Sequence, residues 1–287
     1  MSYSLYVNYL VVGGNGYLGL HLVDQLLSKG HGVFVFDNKA ENIRFQRNNK
    51  VNYIFGDITS EFDFNRLNSY PKFDGIFHLA AKKSVSESMI NPELYDRVNI
   101  KGTQNVVRYC LANGIRNVVF TSSAATYGPC DTHIPIIETS PTNPINPYGT
   151  TKLKGEEILA DAVSRDQVSA VSLRVFNIVG ASNPNYFDIK GENVIPIMLR
   201  SIFLKEVFTI FGFDLDTKDG SSVRDYVNVS DVAAAHLNAM DYLHSSPSGT
   251  YVCANISSGI GTSMLDLVKG FNLLSDIKLD WLSLIHI

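Results

Sequence analysis

Tyr148 and Lys152 stand four residues apart in the run Tyr148-Gly149-Thr150-Thr151-Lys152, with Ser123 upstream of them. If the residues after Pro147 are helical, that spacing puts phenol and ammonium one turn apart on one face. An ammonium close to a phenol favours the phenolate and draws its pKa down from about 10. A tyrosine so activated is a general base usable at physiological pH. An amphipathic surface helix carries the same pair, so the reading needs a second signal. Gly13-Gly14-Asn15-Gly16-Tyr17-Leu18-Gly19 supplies it. Gly13, Gly16 and Gly19 stand as G-x-x-G-x-x-G, a variant spacing of the turn that cradles a dinucleotide. Its physics is a tight bend, a backbone close to a pyrophosphate, and a helix N-terminus that favours negative charge.

Such a turn is credible only between a strand and a helix. Tyr9-Leu10-Val11-Val12 is a short apolar run before it, and residues 21–28 carry Leu22, Val23, Leu26 and Leu27 at helical spacing after it. A second apolar run, Val33-Phe34-Val35-Phe36, ends at Asp37. A carboxylate there would take the hydroxyls of an adenosine ribose and repel a 2′-phosphate, which favours NAD over NADP. The alternation continues through a strand at 51–55 ending at Asp57-Ile58, a clamp for the adenine, and one at 73–81 that runs into Leu79-Ala80-Ala81. Those small residues would let backbone approach a cofactor. Residues 91–113 read as mostly helical, 117–120 as a strand delivering Thr121-Ser122-Ser123, and 169–176 as a strand ending at Asn177. Successive units of this kind predict a parallel sheet with ligands at the carboxyl ends of its strands, where Asp37, Asp57, Ser123 and Asn177 all fall.

Pro141 to Pro147 forms a stiff lead into the Tyr148 helix. Beyond Asn177 the rhythm loosens: a loop at 182–186, a helix over 194–203, a strand at 208–211, a polar loop to Arg224-Asp225-Tyr226, a helix over 232–242 and a strand at 251–255. The division expected is a nucleotide domain over 1–177, with returns to the sheet over about 207–240, and a smaller lobe over 178–287.

Composition excludes several classes of function. The chain has 287 residues and a formal net charge of -4, which gives no reason to expect nucleic acid or an anionic membrane as partner. No apolar run approaches the roughly 18 residues that span a bilayer. The first eight residues lack both Lys and Arg and a long apolar stretch, which argues against a secretion signal. Cys110, Cys130 and Cys253 are far apart, with neither a zinc spacing nor a disulfide framework. That usage suits a reducing cytoplasm and predicts no metal.

In the order and spacing of its motifs the chain resembles the extended short-chain dehydrogenase/reductases, and among them the UDP-glucose (UDP-galactose) 4-epimerases. The matching pieces are the glycine turn, Asp37-Asn38, Gly56-Asp57-Ile58, the block from His78 to Ser88, Ser122-Ser123-Ala124, Pro147-Tyr148-Gly149 with Lys152, Leu173-Arg174 with Phe176-Asn177 and Val179-Gly180, and Gly220 with Val223-Arg224-Asp225-Tyr226. One departure is local: the family usually reads Ser-Ala-Thr-Val-Tyr-Gly where this chain has Ser123-Ala124-Ala125-Thr126-Tyr127-Gly128. The resemblance implies an α/β fold, a Rossmann-type doubly wound parallel sheet with a smaller C-terminal substrate lobe.

It also implies a mechanism. Hydride leaves C4 of the hexose for NAD while Tyr148 takes the hydroxyl proton, Ser123 bonds that hydroxyl, and Lys152 bonds the nicotinamide ribose. With the positive nicotinamide, Lys152 lowers the tyrosine pKa. Gly13, Gly16, Tyr17, Leu18, Gly19, Asp37, Asn38, Asp57, Ile58, Leu79, Ala80, Ala81, Lys83, Asn99 and Phe176 become contacts of NAD. Asn177, Asn193, Phe211 and Arg224 become contacts of the UDP-sugar, the guanidinium forking onto the diphosphate. A homodimer through helices of the sheet domain follows by the same analogy.

Several of these residues have a plainer role open to them. Ser123 is able to cap a strand end, Arg224 to pair with Asp225 or Asp219, Asn193 to cap a helix, Lys83 to be a solvated charge, and Asn99 to be a buried polar residue. His78 suits packing better than catalysis. Two other functions share the scaffold. A nucleotide-sugar dehydratase would need a carboxylate beside the serine, where Ala124 and Ala125 stand; a decarboxylase is less disfavoured. A non-catalytic NAD-binding protein would not need Ser123, Tyr148 and Lys152 together. After Phe271 the family pattern continues for several tens of residues, whereas residues 279–287 read as appended sequence and are set aside from the fold, leaving the lobe incomplete.

Overall fold

Successive residues of the first strand, β1 (Asn8–Val12), enter different cores: Tyr9 and Val11 join one buried cluster, Leu10 and Val12 another. A strand buried on both faces sits in the middle of a sheet with helices on either side. The structure, a computed structural model, describes residues 7–38, 48–129, 134–187, 193–274 and 278–284. Residues 1–6 and Cys130 lie outside the described residues.

The chain runs from β1 through α1 (Tyr17–Ser28), β2 (Gly32–Asp37), β3 (Val51–Phe55), α2 (Glu61–Arg66) and β4 (Gly75–His78). Next come α3 (Val85–Ile90), α4 (Pro92–Tyr95), α5 (Gly102–Asn113), β5 (Asn117–Ser123), α6 (Pro147–Ser164) and β6 (Ser169–Val175). After them come β7 (Asn177–Val179), α7 (Val194–Leu204), β8 (Phe208–Phe211), β9 (Val223–Asn228), α8 (Val229–Ser245), β10 (Tyr251–Ile256), β11 (Gly261–Ser263), α9 (Met264–Leu274) and β12 (Trp281–Leu284).

Seven strands form one sheet in the order β10-β6-β5-β4-β1-β2-β3, every pairing parallel. Leu22 and Leu26 of α1 and Leu237 and Met240 of α8 cover one face; Val106 of α5 and Leu159 and Val163 of α6 cover the other. Each such apolar side chain taken from water stabilises the layer by about 1.5–3 kcal/mol. Strand order reverses between β1 and β4, so a crevice opens where the two chains leave the sheet in opposite directions.

The second half departs from expectation in three ways. The polar stretch before Tyr226 ends in a strand: β9 pairs in parallel with β7 and antiparallel with β11, a small separate sheet. β8 joins β12 rather than the central sheet, so the return begins later than residue 207, with α8 and β10. Residues set aside as appended take part too, since Leu279 is buried and Trp281 pairs with Phe208; residues 285–287 lie outside the described residues. Burial accounts for the second and third. Met198, Phe208, Ile210, Val268 and Leu279 make a third apolar cluster, separate from the two that flank the central sheet. No helix among the described residues is long and apolar enough to cross a membrane.

The stretch read as one helix over 91–113 is interrupted. Between α4 and α5, Asp96 to Lys101 widens into a π-helical turn, which carries Asn99. Such turns inside α-helices re-aim the side chains they hold.

Candidate active site

The glycine turn lies at the reversal of the sheet. Gly13 has φ +88°, and a Cβ on it would stand 2.5 Å from the backbone nitrogen of Ala80, the segment that leaves β4. Leu79 and Ala80 both donate their N–H to the Val12 carbonyl at 2.8 Å, which ties that segment to the turn. Gly16 is the N-cap of α1 and offers no side-chain cap, so the first N–H groups of the helix remain for a ligand. Asp37, at the end of β2, accepts the Asn15 N–H on one carboxylate oxygen at 3.0 Å. A cradle that only glycine leaves open, an uncapped helix start and an acid beside it fit the pyrophosphate and ribose of a dinucleotide.

Other residues expected near the cofactor gather around this crevice in different degrees. Asp57 is exposed and accepts the Thr59 N–H at 2.8 Å, while Ile58 is buried and its carbonyl accepts from Asn105. Tyr17, Ala81 and Phe176 are half-buried, Leu18 and Gly19 are buried, and Asn38 and Lys83 are exposed. Tyr17 also hydrogen-bonds the Gly180 carbonyl, joining α1 to the chain after β7. Asn99 is buried and joins three elements: its oxygen accepts the Lys82 N–H at 2.8 Å, and its amide donates to the Lys82 carbonyl and to Thr151 of α6. The plainer role as a buried polar residue is therefore one that Asn99 fills. His78 packs on Phe120, with ring centroids 5.1 Å apart, and burial pushes its pKa down to about 3, with Lys152 adding to the effect.

The reacting groups are set by the start of α6 and the end of β5. Asn146 caps the helix by accepting the Gly149 N–H at 2.8 Å, and Pro147 begins it with the φ a first turn needs. A Cβ on Gly149 would lie 2.4 Å from the Ala125 carbonyl oxygen, so this glycine lets α6 close onto the turn after β5. Ser123 accepts the Ala125 N–H at 3.2 Å, and its hydroxyl acts on the Tyr148 phenol, lowering its pKa. It caps a turn, the plainer role, and meets the phenol as well.

The electrostatics of the pair differ from expectation. Burial raises the Tyr148 pKa above its ordinary value, and the bond with Ser123 opposes that rise. Lys152 is buried, donates Nζ to the Thr121 carbonyl at 2.8 Å and lies 4.9 Å from the centroid of the Phe120 ring. Burial draws its pKa down to about 7, against the pull of Glu156. The helical spacing does bring the two residues to one place, but desolvation disfavours both charged forms. The protein's own groups hold the phenol protonated rather than ionised.

Residues expected to meet a substrate lie in the smaller sheets and α7. Asn177 donates to the Asp225 carbonyl at 3.1 Å, which places it beside the exposed Arg224. Arg224 donates to the Val223 carbonyl at 2.7 Å, and the Asp225 carboxylate accepts from Ser258 and Gly259. Asp219 accepts from Ser221 and Ser263, so neither acid forms the ion pair open to Arg224 in the sequence. Asn193 occupies the N-cap position of α7 without a side-chain cap bond. Phe211 ends β8 with 64% of its surface exposed. A cavity of about 1470 Å³ runs beside Tyr17, Gly180, Asn193, Pro196, Leu199 and Phe203. Tyr148, Lys152, Phe211 and Arg224 do not line it.

Sequence reasoning missed a buried cluster under the site. Glu156, one turn beyond Lys152, accepts from Ser122 at 2.5 Å and from Arg174 Nη2 at 2.7 Å. Its four-residue spacing from Lys152 was a usable signal; the partners on β5 and β6 had none.

The comparisons bear on the same stretches. The profile of the family described as NAD dependent epimerase/dehydratase matches residues 9–254. A UDP-glucose 4-epimerase of Lactobacillus helveticus is 35% identical, over 95% of this chain and 83% of its own length. UDP-glucose 4-epimerase 3 of Oryza sativa subsp. japonica is 32% identical, over 94% of this chain and 77% of its own. Among solved structures, the UDP-glucose-4-epimerase of Stenotrophomonas maltophila with bound NAD and formylated UDP-arabinopyranose superposes with a TM-score of 0.91. It is 32% identical, covering 98% of this chain and 87% of that one. The UDP-glucose 4-epimerase of Brucella ovis in complex with NAD gives 0.87 at 32% identity, covering 98% and 86%. The match takes in the glycine turn, the end of β5 and the start of α6, and the chain belongs to the NAD-dependent epimerase/dehydratase family.

Proposed function

We propose that the protein inverts the configuration at C4 of a UDP-hexose, interconverting UDP-glucose and UDP-galactose, with NAD as its resident cofactor. The observation that carries this reading is the meeting of Ser123, Tyr148 and Lys152 at the carboxyl end of β5, with β4 alone between it and the strand that enters the glycine turn. Gly13, Gly16, Tyr17, Leu18 and Gly19 would hold the pyrophosphate, Asp37 and Asn38 the adenosine ribose, and Asp57 and Ile58 the adenine. Leu79, Ala80, Ala81, Lys83, Asn99 and Phe176 would line the remaining length. When bound, NAD+ supplies a hydride acceptor for C4, a donor for the return step and a positive charge beside the phenol.

Tyr148 removes the C4 hydroxyl proton and returns it when the 4-keto sugar is reduced on its other face. Ser123 hydrogen-bonds the same oxygen through both steps, and its acceptor bond with the Ala125 N–H keeps its own proton available to donate. Lys152 donates to the nicotinamide ribose and contributes positive charge near the phenol. That charge, added to the cofactor's, offsets the burial that raises the Tyr148 pKa. Arg224 forks onto the diphosphate, Asn177 and Asn193 offer amides, and Phe211 meets the uracil. Free thiols at Cys110 and Cys253 suit a cytoplasmic enzyme. A homodimer through α3 to α5, where Met89, Ile90 and Leu111 are exposed, belongs to the same proposal.

Product analysis tests the reaction class. From UDP-glucose deuterated at C4, the product is expected to have unchanged mass, inverted C4 and a retained label. A product lighter by water would replace epimerisation with elimination, and loss of carbon dioxide from UDP-glucuronic acid, with UDP-glucose left unchanged, would replace it with decarboxylation.

Asp37 sets the cofactor. Asp37→Ala removes the charge that repels a 2′-phosphate and is expected to narrow the preference for NAD over NADP by about 100-fold, on the order of 3 kcal/mol. Calorimetric titration with each nucleotide reads it, and an unchanged ratio would place the discrimination elsewhere.

A further inference from the structure

Glu156 and Arg174 form a buried ion pair that the reaction described above does not use. Their side chains are 5% and 8% exposed, with Arg174 Nη2 2.7 Å from Glu156 Oε2 and Nε 3.0 Å from Oε1. The guanidinium lies over the Tyr127 ring, 4.7 Å from its centroid, and donates to the Glu138 carbonyl. A buried pair of this kind is often no more stabilising than apolar side chains of the same volume. Such a pair invites a role other than stability.

Its neighbours suggest that role. Ser122 is paired with Arg174 in the β5–β6 register and donates to Glu156 at 2.5 Å. The next residue on β5 is Ser123, which meets the phenol. Glu156 is also one helical turn from Lys152 and raises the lysine's proton affinity against burial. Among the described residues, the other groups recorded against Lys152 carry no negative charge: the Thr121 carbonyl and Phe120 ring on β5, and His78 on β4, which burial holds neutral.

Resting on the epimerase reading, we propose that Glu156 is a positioning residue for that reaction, holding the charge of Lys152 beneath the phenol and fixing the end of β5 that carries Ser123.

The test is the titration of the Lys152 amine, followed by NMR of ¹³C-lysine-labelled protein and assigned with Lys152→Arg. In Glu156→Gln the midpoint is expected to fall by about one unit, a tenfold loss of proton affinity, and in Glu156→Asp to stay near its place. Epimerisation by Glu156→Gln should lose kcat on the alkaline side of its pH profile, where Lys152 is neutral, with little change in KM. The double variant Glu156→Leu/Arg174→Met leaves no charge orphaned, so it is expected to fold and to lower the midpoint, by less than Glu156→Gln because the guanidinium leaves with the carboxylate. An unchanged midpoint in either folded variant overturns the proposal, whatever the activity. The midpoint response in the variants, together with no epimerase activity in the wild type, would instead overturn the reading of function.

Discussion

Replacing Tyr148 by phenylalanine is expected to slow UDP-galactose epimerisation by about 10³-fold while leaving bound NAD unchanged, since positioned acid–base groups contribute roughly 10²–10⁴. The substitution removes one oxygen. It keeps the ring that meets Tyr95 edge-on at 6.4 Å, and it keeps the Asn146 cap and the Gly149 contact that seat the start of α6. Lys152 retains its bond to Thr121. What is lost is the group proposed to take and return the C4 proton. The checks are turnover and the NAD released on denaturation. A rate within tenfold of wild type would mean that another base does this work.

The second large effect lies at the other end of the site. Gly13→Ala is expected to abolish NAD retention and to lower the melting temperature. The residue sits at φ +88°, where a side chain is strained by about 1–3 kcal/mol. Its new methyl would also stand 2.5 Å from the Ala80 nitrogen and 2.6 Å from the Ala80 Cα, backbone atoms tied to Val12. Overpacking of that kind costs about 1–3 kcal/mol more. The turn or the segment after β4 must move, and both border the crevice. Calorimetry with NAD and a thermal melt measure the two consequences; NAD bound as tightly as in wild type would show that the turn does not carry the pyrophosphate.

Both residues were legible in the sequence because their signals are local. A glycine spacing between an apolar run and a helical period fixes a strand, turn and helix without reference to the rest of the chain, and Tyr148 and Lys152 needed only the helix after Pro147. The central strands were legible for a related reason, since short apolar runs between turn signals have few other uses. What escaped depends on contacts between distant segments. β7, β9 and β11 are short strands that exist through their pairing with one another. The π turn at Asp96–Lys101 leaves no mark on the apolar pattern of 91–113.

The charge state of the Tyr148 pair escaped as well. Spacing shows which groups meet, but burial decides the sign of a pKa shift, and burial here belongs to β5 and α6 packed together. Asn99 shows the same limit: its position on a helix was readable, its bonds to Lys82 and Thr151 were not.

The central claim is that one chain holds its own NAD and uses it to invert C4. Purified protein incubated with UDP-galactose and no added cofactor tests it most directly. UDP-glucose is expected to form, and NAD to be released when the protein is denatured. No conversion and no bound NAD, even after NAD is supplied, would contradict it.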